Sequence, residues 1–348
     1  MKIRDQIYCG IHTVLANLTK HRVPLSVYLN LTHSCTNKCI YCNFPNLGMD
    51  RGGELSTSQI LKLIDEMAEA GTKKLQLTGG EPFLRKDIGE IVHHAKRKGL
   101  FTGISASGIF IPERVSEIKD VDIVFISLDG EREVHDAIRG KGSYDKVMEA
   151  IEALRENNIK FWITTVINRK NMNSIDYVLD IAKSMKSYAN FVILYYVDDY
   201  DKDHLTPQPV IKELALNNEE NREIIQYLIR KKRSGEPIGS SYGYLEYLLK
   251  WKDLNNIYRN DIINGVKCWA GKLYCHIGPE GMLYPCGTAY WRVNTYDSTK
   301  LGFRKAFELS NKTPCNSCIL ACELEHNLVF SLNIKTILGW LKTLWLQN

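Results

Sequence analysis

The sequence has no run of lysine and arginine long enough to serve as a nucleic-acid-binding tail. Lys231-Lys232-Arg233 is brief and reads as a solvated helix end. With a net charge of only +5 over 348 residues, nucleic acid is not an expected partner. No apolar h-region follows Met1-Lys2-Ile3-Arg4-Asp5-Gln6, so no secretory leader is read there. No uninterrupted apolar stretch reaches bilayer-spanning length. The nearest approach, close to the C-terminus, is broken by Lys335 and Lys342. What remains is the composition of a soluble globular protein, 44% hydrophobic and 24% charged. The chain is long enough for one core of roughly 200 residues plus an appendage.

Cysteine is plentiful, and its placement is uneven. Nine of the ten thiols fall into two groups, and Cys9 is left over as a small buried hydrophobe. A secreted disulfide scaffold would spread them. Clustered thiols in a leaderless chain point to metal ligation in a reducing compartment. The first group is Cys35-Thr36-Asn37-Lys38-Cys39-Ile40-Tyr41-Cys42, spaced C-x3-C-x2-C. Three thiolates held this closely can ligate three irons of a [4Fe-4S] cluster and leave the fourth open to a cofactor or substrate. A zinc knuckle is the plainer alternative, but three thiols are an incomplete structural zinc set. The preceding Leu25–Leu31 alternates as a buried strand, so the thiols leave a strand's C-terminal end, where α/β folds place their chemistry.

Around this loop the chain has a βα rhythm. Residues 1–24 read as a lead-in helix with Ile7, Ile11, Val14, Leu15 and Leu18 at helical spacing, stopped by Pro24. A helix from about Ser56 to Gly71 precedes the strand Lys74–Thr78, which runs into Gly79-Gly80-Glu81-Pro82. Two glycines at a strand end allow a ligand close to the backbone. Further strands are expected at 101–108, 122–130, 161–168 and 190–196, with helices at 88–98, 112–118, 143–157 and 175–185 between them. Ile123–Leu128 is a continuous apolar run, as in a parallel strand buried on both faces. The pattern changes at the acidic Asp198–Asp203 and the prolines Pro207 and Pro209, before helices at 219–233 and 242–252.

C-x3-C-x-aromatic-C after an early strand, followed one βα unit later by Gly-Gly-Glu-Pro, resembles the radical S-adenosylmethionine (radical SAM) superfamily. Ser127-Leu128-Asp129-Gly130, His135-Asp136-x2-Arg139-Gly140 and Ser143-Tyr144-Asp145 resemble its peptide-modifying branch. The resemblance implies a partial (β/α)6 barrel, where periodicity alone allows a doubly wound sheet. It implies a [4Fe-4S] cluster on Cys35, Cys39 and Cys42. It also implies S-adenosylmethionine (SAM) held by Tyr41, Gly79, Gly80, Glu81, Ser105, Ser127, Asp129, Arg139 and Val166, with Arg139 suited to a carboxylate. Asp129 could equally cap the next helix.

The second group is Cys268, Cys275, Cys286, Cys315, Cys318 and Cys322. Cys275–Cys286 reads as a hairpin about Pro279-Glu280-Gly281. It resembles the auxiliary-cluster domain of the SPASM/twitch type. The full SPASM pattern has seven cysteines and two clusters. Six here supply one auxiliary [4Fe-4S] cluster, with Cys268, Cys286, Cys315 and Cys318 as first choice. Cys322 is a substitute, and Cys275 is either a ligand or a buried thiol. Four-thiolate zinc is the rival.

The expected organisation is a lead-in helix (1–24), a radical SAM core (25–200), a helical bridge (201–266), an auxiliary Fe-S domain (267–326) and a C-terminal amphipathic helix (327–348). The expected activity is that of a radical SAM enzyme, of oxidoreductase or transferase type. A reduced cluster cleaves SAM to a 5′-deoxyadenosyl radical, and that radical takes hydrogen from a peptide, protein or lipid-like substrate. An external donor of flavodoxin or ferredoxin type supplies the electron. No leader-peptide recognition domain is visible at the N-terminus and no cobalamin-binding domain is apparent. The alternative is a non-enzymatic iron–sulfur carrier or a zinc-stabilised binding module. The C-terminal helix either docks on the protein or touches a membrane surface, which gives a cytoplasmic location, peripheral at the inner membrane face.

Overall fold

The computed structural model describes residues 1–42, 44, 53–195, 208–287, 293–311, 313 and 315–345. The acidic stretch 198–203, Pro207 and the last residue of the expected strand 190–196 lie outside them.

After α1 (Ile3–Leu18) the chain alternates β1 (Ser26–Asn30), α2 (Thr57–Glu69), β2 (Lys74–Thr78), α3 (Ile88–Arg97), β3 (Phe101–Ala106), α4 (Ile111–Arg114) and β4 (Ile123–Ser127). It continues through α5 (Arg132–Arg139), α6 (Ser143–Glu156), β5 (Phe161–Ile167), α7 (Ile175–Ser184) and β6 (Tyr188–Ile193). The six strands pair in parallel and in sequence order. Sequential parallel pairing is the order of a barrel. A cavity of about 1020 Å³ touched by inward residues of all six strands, from Tyr28 on β1 to Val192 on β6, shows the sheet curled around it. Among the described residues β6 does not pair with β1, so the (β/α)6 barrel is open.

Each element follows from local chemistry. β1 is buried along its whole length because helices cover one face and the cavity wall the other. α2 starts where Ser56 and Gln59 form a reciprocal capping box, and it turns Ile60, Leu63, Ile64 and Met67 inward.

Beyond the barrel come α8 (Gln208–Leu214), α9 (Asn218–Arg233), α10 (Tyr242–Lys250) and β7 (Tyr258–Arg259). The expected hairpin is β8 (Tyr274–Ile277) and β9 (Met282–Tyr284). It does not stand apart, because β8 pairs in parallel with β1 and extends the barrel sheet across the open side. Next come β10 (Tyr296–Asp297), α11 (Ser298–Leu301), α12 (Phe303–Leu309), and β11 (Ser317–Cys318), which pairs with β7. The apolar run read as one C-terminal helix is two, α13 (Ala321–Phe330) and α14 (Ile334–Trp345). Leu332 breaks it with φ +58°, a turn that lets α14 pack on α10. No described helix is long and apolar enough to cross a membrane.

Candidate functional site

The cysteine loop leaves the end of β1 and is tied to three other segments. Gly80 N and Glu81 N donate to Thr32 O and Ser34 O, both at 2.8 Å. This explains the paired glycines. A β-carbon on Gly79 (φ +133°) would lie 2.6 Å from Thr32 O, and one on Gly80 would strike the carbonyls of His33 and Ser34. Glu54 accepts from Thr32 Oγ1 at 2.7 Å and from His33 N at 2.8 Å. Ile40 N donates to Ile138 O at 3.0 Å, which fixes the loop to α5.

Glu81 is buried. It accepts from Ser107 N (2.8 Å) and Oγ and from Phe83 N (3.2 Å). Burial pushes its carboxyl up, against the pull of those donors. It therefore braces the turn, leaving the half-buried Gly79 as the part of this motif that lines the cavity.

Arg139 is buried at the end of α5. Its Nε donates to Asp129 Oδ2 at 2.6 Å, and one Nη donates to the Tyr41 hydroxyl at 2.6 Å. The other Nη lies 3.8 Å from Cys39 Sγ. Asp129 Oδ1 in turn accepts from Val166 N at 3.1 Å, and Asp129 N donates to His135 Nδ1 at 3.1 Å. The carboxylate that Arg139 faces is thus Asp129, and together they clamp the cysteine loop to the ends of β4 and β5. Asp129 caps no helix. Ser105, on the cavity wall, accepts from Gln76 Nε2 at 3.0 Å. Ser127 shares the inward face of β4 with Phe125.

The three N-terminal thiols fit a cluster. Burial, and then Glu81 followed by Cys39 and Cys42, pushes the Cys35 thiol up to about 11. Thiolates packed this closely repel one another until iron neutralises them. Among the described residues no three acidic, cysteine or histidine groups converge as a single-ion site. A cubane does not require that, since it presents a separate iron to each thiolate.

The second group divides. Burial, then Cys268, Cys286, Glu323 and Cys315, pushes the Cys318 thiol far up, so these three thiols lie within electrostatic reach of Cys318. Cys268 and Cys286 pack with Trp269 and Tyr274, whose hydroxyl lies 4.0 Å from Cys268 Sγ. Cys275 points the other way from β8, into the main core with Ile277. Cys322, on α13, opens into the cavity, where burial and then Glu323 push it up to about 12 against the charge of Lys74.

The sequence reading missed the cavity wall between barrel and C-terminal region. Tyr28 stacks on His276 at 4.4 Å, and its hydroxyl meets His326 Nδ1 at 3.1 Å. His326 Nε2 lies 3.4 Å from Lys74 Nζ, and Asn30 Nδ2 donates to the Tyr284 hydroxyl at 3.0 Å. The available signal was polar residues at alternate positions of apolar strands, namely Tyr28 and Asn30 on β1 and His276 on β8.

Residues 29–182 match the family described as the radical SAM superfamily. Among curated proteins the chain is 31% identical to an Fe-coproporphyrin III synthase of Methanosarcina barkeri, over 63% of this chain and 54% of that protein. It is 34% identical to a PqqA peptide cyclase of Bradyrhizobium diazoefficiens, over 46% of this chain and 43% of that one. The chain thus spans about half the length of these relatives. Among solved structures it resembles Streptococcus suis SuiB bound to S-adenosylmethionine, with TM-score 0.65, 15% identity, and coverage of 88% of this chain and 70% of that one. SuiB has also been solved with its precursor peptide SuiA.

Proposed function

We propose that the chain works as a member of the radical SAM superfamily, whose family model its residues 29–182 match, and that it takes a hydrogen atom from a peptide or protein segment bound in the barrel cavity. This superfamily uses a [4Fe-4S] cluster and SAM, which when bound supply a 5′-deoxyadenosyl radical after one-electron reduction. Cys35, Cys39 and Cys42 are the residues that would hold the cluster. Tyr41, Gly79, Ser105, Ser127 and Val166 would line the SAM side, and Gly80, bonded to Thr32 O, would hold the cysteine loop against it. Glu81, Asp129 and Arg139 act as positioning residues, since each is already bonded within the protein.

One observation carries the substrate reading. The same cavity is lined by Tyr41, Cys42 and Gly79 from the barrel and by His276, Tyr284 and His326 from the C-terminal region. A substrate reaching from one to the other would lie across both the radical source and the C-terminal cysteine region. At about 1020 Å³ the space is at the upper end for a small ligand and suits a peptide segment. Trp162 Nε1 has no hydrogen-bond partner among the described residues and offers a polar contact to it, while His276 Nε2 faces Glu323 Oε1 at 3.4 Å. Cys268, Cys286, Cys315 and Cys318 would hold one auxiliary cluster beside Tyr274, whose ring lies 5.9 Å from that of the cavity-lining His326.

The test uses deuterated material. Reduced enzyme and SAM are mixed either with a peptide digest or with a lipid extract from cells grown in heavy water. The proposal predicts 5′-deoxyadenosine one mass unit heavier from the peptide arm. Label arriving only from the lipid arm would replace the peptide reading with the lipid one. Unlabelled product from both would remove both.

A further inference from the structure

α1 is folded inside out. Its buried residues are Asp5, Thr13 and Ala16. Its large aliphatics face solvent, with Ile3 75%, Ile7 57%, Ile11 54% and Leu18 78% exposed and Val14 and Leu15 beside them. At helical spacing these six form one stripe roughly 120° wide along the helix. Packing within the protein therefore does not account for the apolar periodicity of this segment. A stripe of this size on the surface marks a face that is covered by something else.

The stripe continues on a second helix. Asn17 Nδ2 donates to Phe330 O at 2.8 Å, and Ala16 packs with Phe330, so the end of α1 meets the α13–α14 turn. At that turn Leu332 is exposed, and on α14 Ile334 and Leu338 are 71% and 60% exposed at i, i+4 spacing. Charge selects the occupant. There is no Asp or Glu from Gln6 to Met49, nor after Glu325. Lys2, Arg4 and Lys20 flank the α1 stripe in solvent, while Asp5, the lone acid of α1, is buried against Lys73 at 3.7 Å. The α14 sequence carries Lys335, Lys342, Trp340 and Trp345, with Lys335 Nζ paired to Glu246 Oε2 of α10 at 2.6 Å. Apolar stripes with no acid of their own in solvent, bordered by Lys2, Arg4 and Lys20 and with tryptophans in the sequence, match the interface of an anionic bilayer.

We propose that α1 and α14 form one interfacial face that seats this protein on an anionic membrane surface. This inference stands apart from the cavity chemistry, so its failure would leave the reading of the site untouched. The test is flotation of the full chain with phosphatidylcholine vesicles, with and without phosphatidylglycerol, together with sedimentation of the protein alone. Binding should be about tenfold or more stronger with the anionic lipid and should weaken with salt. Ile7→Glu/Ile11→Glu, both at exposed positions, should lose about tenfold or more of it with an unchanged circular dichroism spectrum. Ile334→Glu/Leu338→Glu should act in the same direction. Absence of binding to anionic vesicles overturns the proposal. If the wild type then sediments as a dimer that the α1 variant converts to monomer, the face belongs to a second copy. If both are monomers, the stripe serves no bilayer.

Discussion

Arg139 Nε donates to Asp129 Oδ2 at 2.6 Å in a site almost closed to solvent, and that pair fastens the cysteine loop to the barrel. Burial works against the Arg139 charge, but Asp129 and Tyr41 more than restore it. Asp129→Ala would leave the guanidinium buried without its partner. The expected cost is about 3–5 kcal/mol of unfolding free energy, read from urea denaturation, with a larger loss in SAM cleavage than Arg114→Ala produces.

Gly80 admits no side chain because the carbonyls of His33 and Ser34 occupy the space. Gly80→Ala should displace the cysteine loop and reduce the iron held at Cys35, Cys39 and Cys42, measured by iron analysis after anaerobic reconstitution. Gly10→Ala, with nothing within 4 Å, is the control and should retain full iron.

His135 is buried, and burial followed by the nearby Arg139 lowers its pKa to about 4. Its folded value lies below its unfolded one, so its contribution to stability is present above about 6.5 and is lost as pH falls toward 4. The slope attributable to it is at most about 1.4 kcal/mol per pH unit. His135→Gln should flatten the stability profile across that window in chemical denaturation. An identical profile would mean that the imidazole does not titrate as its surroundings dictate.

The C-terminal thiols should separate by iron count. Cys318→Ala should remove about four of about eight irons, whereas Cys275→Ala and Cys322→Ala should keep about eight. Cys275→Ala should still lower the unfolding midpoint, because its thiol fills core space beside Ile277. Zinc in place of the second set of irons would make that region a structural metal site.

Much of this arrangement was legible in the chain, for identifiable reasons. The six barrel strands are short apolar runs ended by glycine or polar residues, and their periodicity is local. Gly79 and Gly80 were readable as a close approach of backbone, though the approaching group is the protein's own cysteine loop. Three features were not readable, because each depends on contacts distant in sequence. Arg139 spends its donors on Asp129, Tyr41 and Cys39. The β8 hairpin joins the barrel sheet through β1. The apolar stripe of α1 has the right period for a core helix, and periodicity does not say which way it faces. Likewise nothing local marks Leu332 as the point where the C-terminal helix breaks.

The most direct measurement is 5′-deoxyadenosine formed from SAM by the anaerobically reconstituted, reduced protein, compared with its Cys35→Ala/Cys39→Ala/Cys42→Ala variant. Turnover in the wild type that disappears in the variant, while about four irons remain bound to the variant, is the predicted result. Equal product from both proteins, or none from an iron-replete wild type, would contradict the assignment of the cysteine loop as the radical-generating site.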